Sequence, residues 1–450
     1  LIHKFTIDGV KILLDVNSGA VHVLDDLAWD IVDLYQDVPE EELIARFAGR
    51  YQAGEVREVL AELRRLEADG LLWAADNQEE NYMLPEEPVV KSLCLHAAHD
   101  CNLRCRYCFA GKGKFGGVGG LMPAATGRAA IDFLMRASGA RRHCEIDFFG
   151  GEPLLNLDTV KGLVAYGREQ SAKFSKEIKF TLTTNALLLD EGTAEFLDRE
   201  GISAVLSLDG RPEVHDRMRP APGGKGSYRE VADRICSFTA GRGHDNYYVR
   251  GTYTRFNLDF TADVLYMADL GLKRLSVEPV VAPPQEEWAF RAEDLPAIGR
   301  EYEKLARAYV LRHEAGEPID FFHFNLDLDQ GPCLPKRLTG CGAGHEYLAV
   351  TPAGDLYPCH QFVGREQYRV GDVWRGLNKR SVMKEFQRAH IYNKEKCRSC
   401  WAKFYCSGGC HANAEAANGS IYEPYELGCA ITRKRLECAI YVQVKKAALA

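Results

Sequence analysis

Several things are missing from this chain, and each absence narrows the reading. No apolar run approaches the length of a membrane span. There is no excess of basic residues: the net charge is -8, which disfavours non-specific nucleic-acid binding. No secretory signal opens the chain, and Leu1 is not an initiator Met, so its start is expected to be trimmed. Residues 1–93 hold no cysteine, although the chain has fifteen. Fifteen cysteines without a secretion signal argue for metal rather than disulfides and for a cytoplasmic setting. Nine of them lie from Cys333 onward.

What is present reads as an ordinary globular protein. At 450 residues, 46% hydrophobic and 27% charged, the chain has room for two or three domains. Its densest chemistry is Cys101-Asn102-Leu103-Arg104-Cys105-Arg106-Tyr107-Cys108. Three thiols on one short loop can ligate three corners of a cubane cluster and leave one iron open. An open metal position is where a cofactor or substrate binds. A zinc knuckle is the bland competitor, but zinc motifs use C-x2-C pairs or Cys/His sets.

From Val89 the chain alternates strand and helix. Strands are predicted over 92–96, 145–149, 179–184, 204–208, 247–254 and 274–279, with amphipathic helices such as 124–138 and 191–200 between them. Six such units imply a parallel sheet curled into an open barrel. Chemistry in such barrels sits at the C-terminal ends of strands, where the cysteine loop falls.

The C-x3-C-x2-C loop, with Tyr107 before the third Cys, resembles the radical S-adenosylmethionine (SAM) enzymes. That likeness implies a 4Fe–4S cluster on Cys101, Cys105 and Cys108, which binds SAM through its unique iron and cleaves it to a deoxyadenosyl radical. Gly150-Gly151-Glu152-Pro153 matches the family's GGE segment, which implies contacts to the SAM ammonium. Tyr107, Asn185, Ser207 and Arg219 are the further cofactor candidates, Arg219 because guanidinium suits carboxylate. Glu278 is expected to face the adenosine or the peptide. The run 111–120, GKGKFGGVGG, lacks the GxxxxGK pattern of a phosphate loop and reads as a mobile loop beside the site.

The tail carries Cys341, a G-x4-C step to Cys359, then Cys397-x2-Cys400-x5-Cys406-x3-Cys410 and finally Cys429. It resembles the SPASM domain, which implies two auxiliary clusters: one on Cys397, Cys400, Cys406 and Cys429, the other on Cys341, Cys359 and Cys410. Cys333 either completes the second set or leaves an iron open for a substrate thiolate. With Cys410 inside the other run, the two sites must fold together. Only Cys397/Cys400 has zinc-ribbon spacing. Cys94 and Cys144 are expected to be buried packing residues, whereas His360 and His411 are either cluster neighbours or solvated loop positions.

The first ninety residues read as three short strands (4–10, 11–16 and 20–23) and three helices, a winged-helix-like module. Its third helix has mixed charge, not the basic face of a DNA reader. The module resembles the PqqD-like RiPP recognition element, which implies that Ala20, Val21, His22, Val23 and Leu24 take the leader of a precursor peptide as an added strand. The expected organisation is 1–76 recognition element, 77–88 linker, 89–320 radical SAM partial (β/α)6 barrel and 321–450 SPASM domain.

Nearly the whole chain resembles the SCIFF maturase group, sactipeptide-type enzymes that join a Cys sulfur to a backbone carbon in a Cys-rich peptide. The likeness implies three 4Fe–4S clusters, SAM, and a reductant such as flavodoxin or ferredoxin, with no nucleic acid and no membrane as partner. The alternative is an anaerobic sulfatase maturase, which makes formylglycine. That family has an Asp after the Cys at the Cys359 position, where this chain has His360 and Gln361.

Overall fold

The computed structural model describes residues 1–82, 86–240, 242, 246–328 and 334–449. Strands β1 (Ile2–Ile7), β2 (Val10–Asp15) and β3 (Val21–Leu24) form an antiparallel sheet in that order. Both residues of the first turn, Asp8 and Gly9, have positive φ, 51° and 76°. A tight two-residue hairpin demands that, so the turn sits earlier than the expected break at Gly9 and shortens the first strand. The third strand is likewise shifted: Ala20 stands outside it, its carbonyl accepting from the Asp15 amide at 2.9 Å.

Alternation along β2 explains how the module packs. Ile12 and Leu14 join the main core of the molecule, while Leu13 joins a small separate core with Leu27, Ile31, Leu43, Val56 and Leu60. The helices Asp26–Ile31, Glu40–Phe47 and Ala53–Ala68 supply that second core. One side of the sheet thus rests on the rest of the chain. His3, on the face it shares with Leu14, stacks its ring on Trp401 at 3.8 Å and contacts Glu437 at 3.0 Å. The outer edge of β3 pairs with no strand among the described residues, and Val23 is 59% exposed.

The linker begins with a helical turn, Gln78–Asn81. Just before it, Asp76 accepts from Tyr392 Oη and Lys403 Nζ, both at 2.7 Å. Beyond it comes the large sheet: β4 (Ser92–Ala98), β5 (His143–Gly150), β6 (Glu177–Thr184), β7 (Ser203–Ser207), β8 (Tyr247–Tyr253), β9 (Arg274–Pro279) and β10 (Asp320–Phe321). All are parallel neighbours in chain order, as the βα alternation predicts. On β5 and β6 the residues Cys144, Ile146, Phe148, Ile178, Phe180 and Leu182 are buried toward the helices, and polar residues such as Asp147 and Thr181 alternate with them.

The sheet does not stop at residue 320. Strand β11 (Tyr347–Val350) adds in parallel to the free edge of β4 and carries β12 (Asp355–Tyr357), β13 (Gly371–Asp372) and β14 (Gly376–Leu377) with it. At the far side, the last helix, Glu426–Leu449, packs along Leu295–Glu314. The tail therefore grips the parallel sheet from both flanks. Among the described residues, no helix is long and apolar enough to cross a membrane.

Candidate functional site

The 101–108 loop leaves the C-terminal end of β4 and is tied down at several points. The Arg104 and Arg106 amides donate to Pro220 O and Met218 O, both at 2.8 Å. Tyr107 Oη donates to Asp209 Oδ2 at 2.6 Å and accepts from Arg219 Nη1 at 2.9 Å. Asp209, fully buried, also accepts from the Thr252 amide at 3.0 Å and lies 3.9 Å from Arg219. Its own amide donates to His215 Nδ1 at 3.4 Å, so His215 Nε2 carries the proton shared with Ser227 Oγ at 3.0 Å. Ser227 Oγ then donates to Arg219 O at 2.6 Å. Burial pushes the Asp209 carboxyl up, and the Arg219 guanidinium opposes that shift.

Glycines let the backbone of β5 close on this loop. A Cβ on Gly151 would lie 2.0 Å from Asp100 O, one on Gly150 2.3 Å from Ala98 O, and one on Gly113 3.0 Å from the Cys101 Cβ. Glu152 follows, fully buried, with its oxygens accepting from the Leu154 amide at 3.0 Å, Thr184 Oγ1 at 2.8 Å and the Asn185 amide at 2.8 Å. Burial raises its carboxyl to about 6 despite those donors. Asn185 in turn donates to Asn102 Oδ1 at 2.7 Å and lies 3.7 Å from Cys101 Sγ. Glu152 thus braces the Asn185 turn against the cysteine loop.

The thiols suit a metal core. Cys101, Cys105 and Cys108 are all partly exposed. Burial pushes the Cys101 thiol up to about 12, with Glu152 and the other two thiols adding to it. Burial raises the Cys101 and Cys105 thiols, an effect that a cationic cluster reverses, because the thiolate is the ligand.

In the tail, Cys397, Cys400, Cys406 and Cys429 line one cavity together with Gly408 and Pro424. Burial again dominates, raising Cys397 to about 11 and Cys429 to about 12, with the neighbouring thiols reinforcing both. Cys341, Cys359 and Cys410 form a second group. Burial is the main cause of the raised Cys359 thiol, and Cys410 and Cys341 add to it. Gly344 N donates to Pro358 O at 3.0 Å, which fixes the Cys341 turn beside the Cys359 strand end. Cys333 lies outside the described residues. Among the described residues, no three His, Cys, Asp or Glu side chains converge tightly enough to hold one metal ion. Sets of thiols around shared space suit iron–sulfur cores.

The remaining candidates fall as follows. Ser207 ends β7 in register with Arg250 and is half-buried. Glu278, 29% exposed, is met by three bases: His323 and Arg435 each approach to 3.3 Å and Arg250 to 3.9 Å. Arg435 comes from the last helix, a partner no local pattern announces. The 111–120 loop lies beside the cysteines and is anchored by Gly113 and the buried Phe115, whose ring stacks on His99 at 4.8 Å. Cys94 and Cys144 are buried as expected, and so is Cys438. His411 is buried, and His360 contacts Tyr347 Oη at 3.3 Å, so neither is a solvated loop residue. Asn102 and Arg435 carry no signal in the sequence reading; Asp209 belongs to the strand-end segment 207–210 that resembles the family's SAM-pocket lining, from which Ser207 is the residue picked.

Comparison with known proteins agrees with the two halves of this site. A 4Fe-4S single cluster domain matches residues 91–232, and the SPASM iron-sulfur cluster-binding domain matches residues 341–401. A cysteine-type anaerobic sulfatase-maturating enzyme of Clostridium perfringens is 25% identical over 360 residues, covering 75% of this chain and 92% of that one. The solved structure of native anSMEcpe with bound AdoMet and Kp18Cys peptide superposes with a TM-score of 0.65 at 21% identity, over 79% of this chain and 99% of that one. The structure of Streptococcus suis SuiB bound to S-adenosylmethionine superposes with a TM-score of 0.52 at 17% identity, over 94% of this chain and 97% of that one.

Proposed function

We propose that this chain, which carries the iron–sulfur domains of the radical SAM/SPASM enzymes, is a peptide maturase that joins a Cys sulfur to a backbone carbon of another residue in a Cys-rich precursor. One observation carries the peptide reading. The edge of the N-terminal sheet at β3 pairs with no strand among the described residues and is open for strand addition. Residues 20–24 would hold the leader there. Cys101, Cys105 and Cys108 would hold the SAM cluster, the seven tail cysteines the two auxiliary clusters, and Gly150, Gly151, Asn185, Ser207 and Arg219 would shape the SAM pocket. A cluster with bound SAM supplies one-electron cleavage of the sulfonium and hence hydrogen abstraction.

The chain's own residues do the positioning. Tyr107, Asp209 and Arg219 fix the cysteine loop against β7. Glu152 fixes Asn185 beside Cys101. Gly150 and Gly151 let the 98–100 backbone close on the end of β5, which seats the cysteine loop. The tail, seated on both flanks of the sheet, would present the donor thiol to the barrel mouth.

Sulfatase maturation is the second reading, favoured by the 25% identical Clostridium perfringens enzyme. Against it stand His360 and Gln361 after Cys359, where that family places an Asp. Mass spectrometry separates the two. Iron-loaded protein, SAM, a flavodoxin-type reductant and a Cys-rich precursor should give a product that has lost two hydrogens and one alkylatable thiol. A product that has lost its sulfur and gained an aldehyde would overturn the thioether reading. Leader capture should fall when residues 21–24 are altered; unchanged capture removes the recognition strand.

A further inference from the structure

Three lysines stand around the tail cysteines, and they are not equivalent. Lys396 pairs with Glu426, and Lys403 pairs with Asp76 at 2.7 Å. Lys394 is 1% exposed and, among the described residues, has no carboxylate within ion-pair distance. Its Nζ donates to Gly408 O at 2.8 Å and stands 3.4 Å from His411 Nδ1. Gly408 lines the cavity of Cys397, Cys400, Cys406 and Cys429, and His411 follows Cys410 of the other set. A Cβ on Gly408 would come within 3.3 Å of Nζ, so the glycine leaves room for the ammonium.

A buried ammonium without a counter-charge is costly. Burial lowers the Lys394 pKa, and the thiols of Cys397, Cys406, Cys410 and Cys341 oppose that shift. Those four thiols come from both proposed clusters. The backbone holds the lysine in place too, since its carbonyl accepts from the Cys397 amide at 2.9 Å and the Arg398 amide at 3.0 Å.

We infer that Lys394 is a positioning residue whose ammonium is the counter-charge shared by the two auxiliary cluster sites, and that it sets the reduction potentials of both. The inference rests on the iron–sulfur reading of the tail. A thiolate-bound cluster gains negative charge on reduction, so a fixed cation beside it stabilises the reduced form and raises its potential. One cation between two sites ties their potentials together. The cluster on residues 101–108 lies outside this arrangement and serves as an internal reference.

The experiment is redox titration of the iron-loaded full chain followed by electron paramagnetic resonance, comparing wild type with Lys394→Met, Lys394→Gln and Lys394→Arg. Lys394→Gln keeps a donor for Gly408 O and removes the charge. In both neutral variants the reduced fraction of the two auxiliary clusters should fall about tenfold at fixed potential, a shift of about 59 mV for a one-electron couple. The reference cluster should not move, and Lys394→Arg should restore the auxiliary values. Unmoved auxiliary potentials in a fully loaded Lys394→Gln protein overturn the inference.

Should the neutral variants fail to take up iron, the native enzyme labelled with lysine bearing nitrogen-15 gives a second readout. Hyperfine coupling to lysine nitrogen at both auxiliary spins supports the shared cation, because Lys396 and Lys403 flank only one of the two sites. Coupling at neither spin, or at one alone, contradicts it. A wild-type chain that shows no auxiliary signals removes the clusters themselves, a failure distinct from potentials that stay put.

Discussion

The two cysteine-bearing regions are built in opposite ways. The 101–108 loop sits at the end of a parallel sheet and is held by a polar network that needs no metal: Tyr107, Asp209 and Arg219 on one side, Glu152, Thr184 and Asn185 on the other. The 395–410 stretch is two single-turn helices, Glu395–Arg398 and Lys403–Cys406, with turns between them. A single helical turn is a nucleus without propagation and is not stable alone. Its order comes from tertiary contacts, Trp401 on His3, Lys403 on Asp76, the buried Phe404 and the buried Lys394, around thiols that would hold a cluster. The first loop is held by hydrogen bonds from neighbouring strand ends; the second leans on contacts around its thiols, which a bound cluster would strengthen.

That contrast breaks first if the iron is removed. Hydrogen exchange of metal-free protein should show amide protection lost across 395–410 and kept at Arg104 and Arg106, whose amides are bonded to the 218–220 segment. Equal loss in both regions would erase the distinction. Next comes Asp209→Ala, which leaves the buried Arg219 facing only a phenol. It should cost about 3–5 kcal/mol of stability in urea titration; a cost below about 1 kcal/mol would mean the network holds nothing, since surface pairs reach that much.

Gly151→Ala sharpens the comparison at the level of function. Its Cβ must displace Asp100 O, now 2.0 Å away, and with it the cysteine loop. A misplacement of about 1 Å costs about 10²-fold in rate, so deoxyadenosine formation should fall by that factor while the tail keeps its iron. A smaller effect is written in pH. Burial raises Glu152 from 4.5 to about 6. Its protonated form is favoured in the folded state, so its contribution is full below pH 4.5 and is lost as pH rises through 6. The stability of the metal-free protein should drop by about 2 kcal/mol across that window, and Glu152→Gln should flatten the slope.

The sheet was legible because its strands are local patterns. The expected strand at 274–279 coincides with β9, and the other five parallel strands agree within two residues at each end. The cysteine spacings were legible for the same reason. What sequence did not reveal depends on distant partners. Arg435 reaches Glu278 across 157 positions, and Tyr107 meets Asp209 across 102. The β11–β4 pairing was hidden because β11 is four residues long and arrives from beyond the expected barrel limit. Lys394 sits three residues before a cysteine in a run rich in charge; nothing in that run distinguishes it from the solvated Lys396, and only burial does.

The most direct measurement is the product of SAM under reducing, anaerobic conditions. Iron-loaded wild-type chain should convert SAM to methionine and 5'-deoxyadenosine, and Cys105→Ala should abolish that conversion while the tail retains its iron. A fully iron-loaded wild-type chain that releases no 5'-deoxyadenosine would contradict the account at its root.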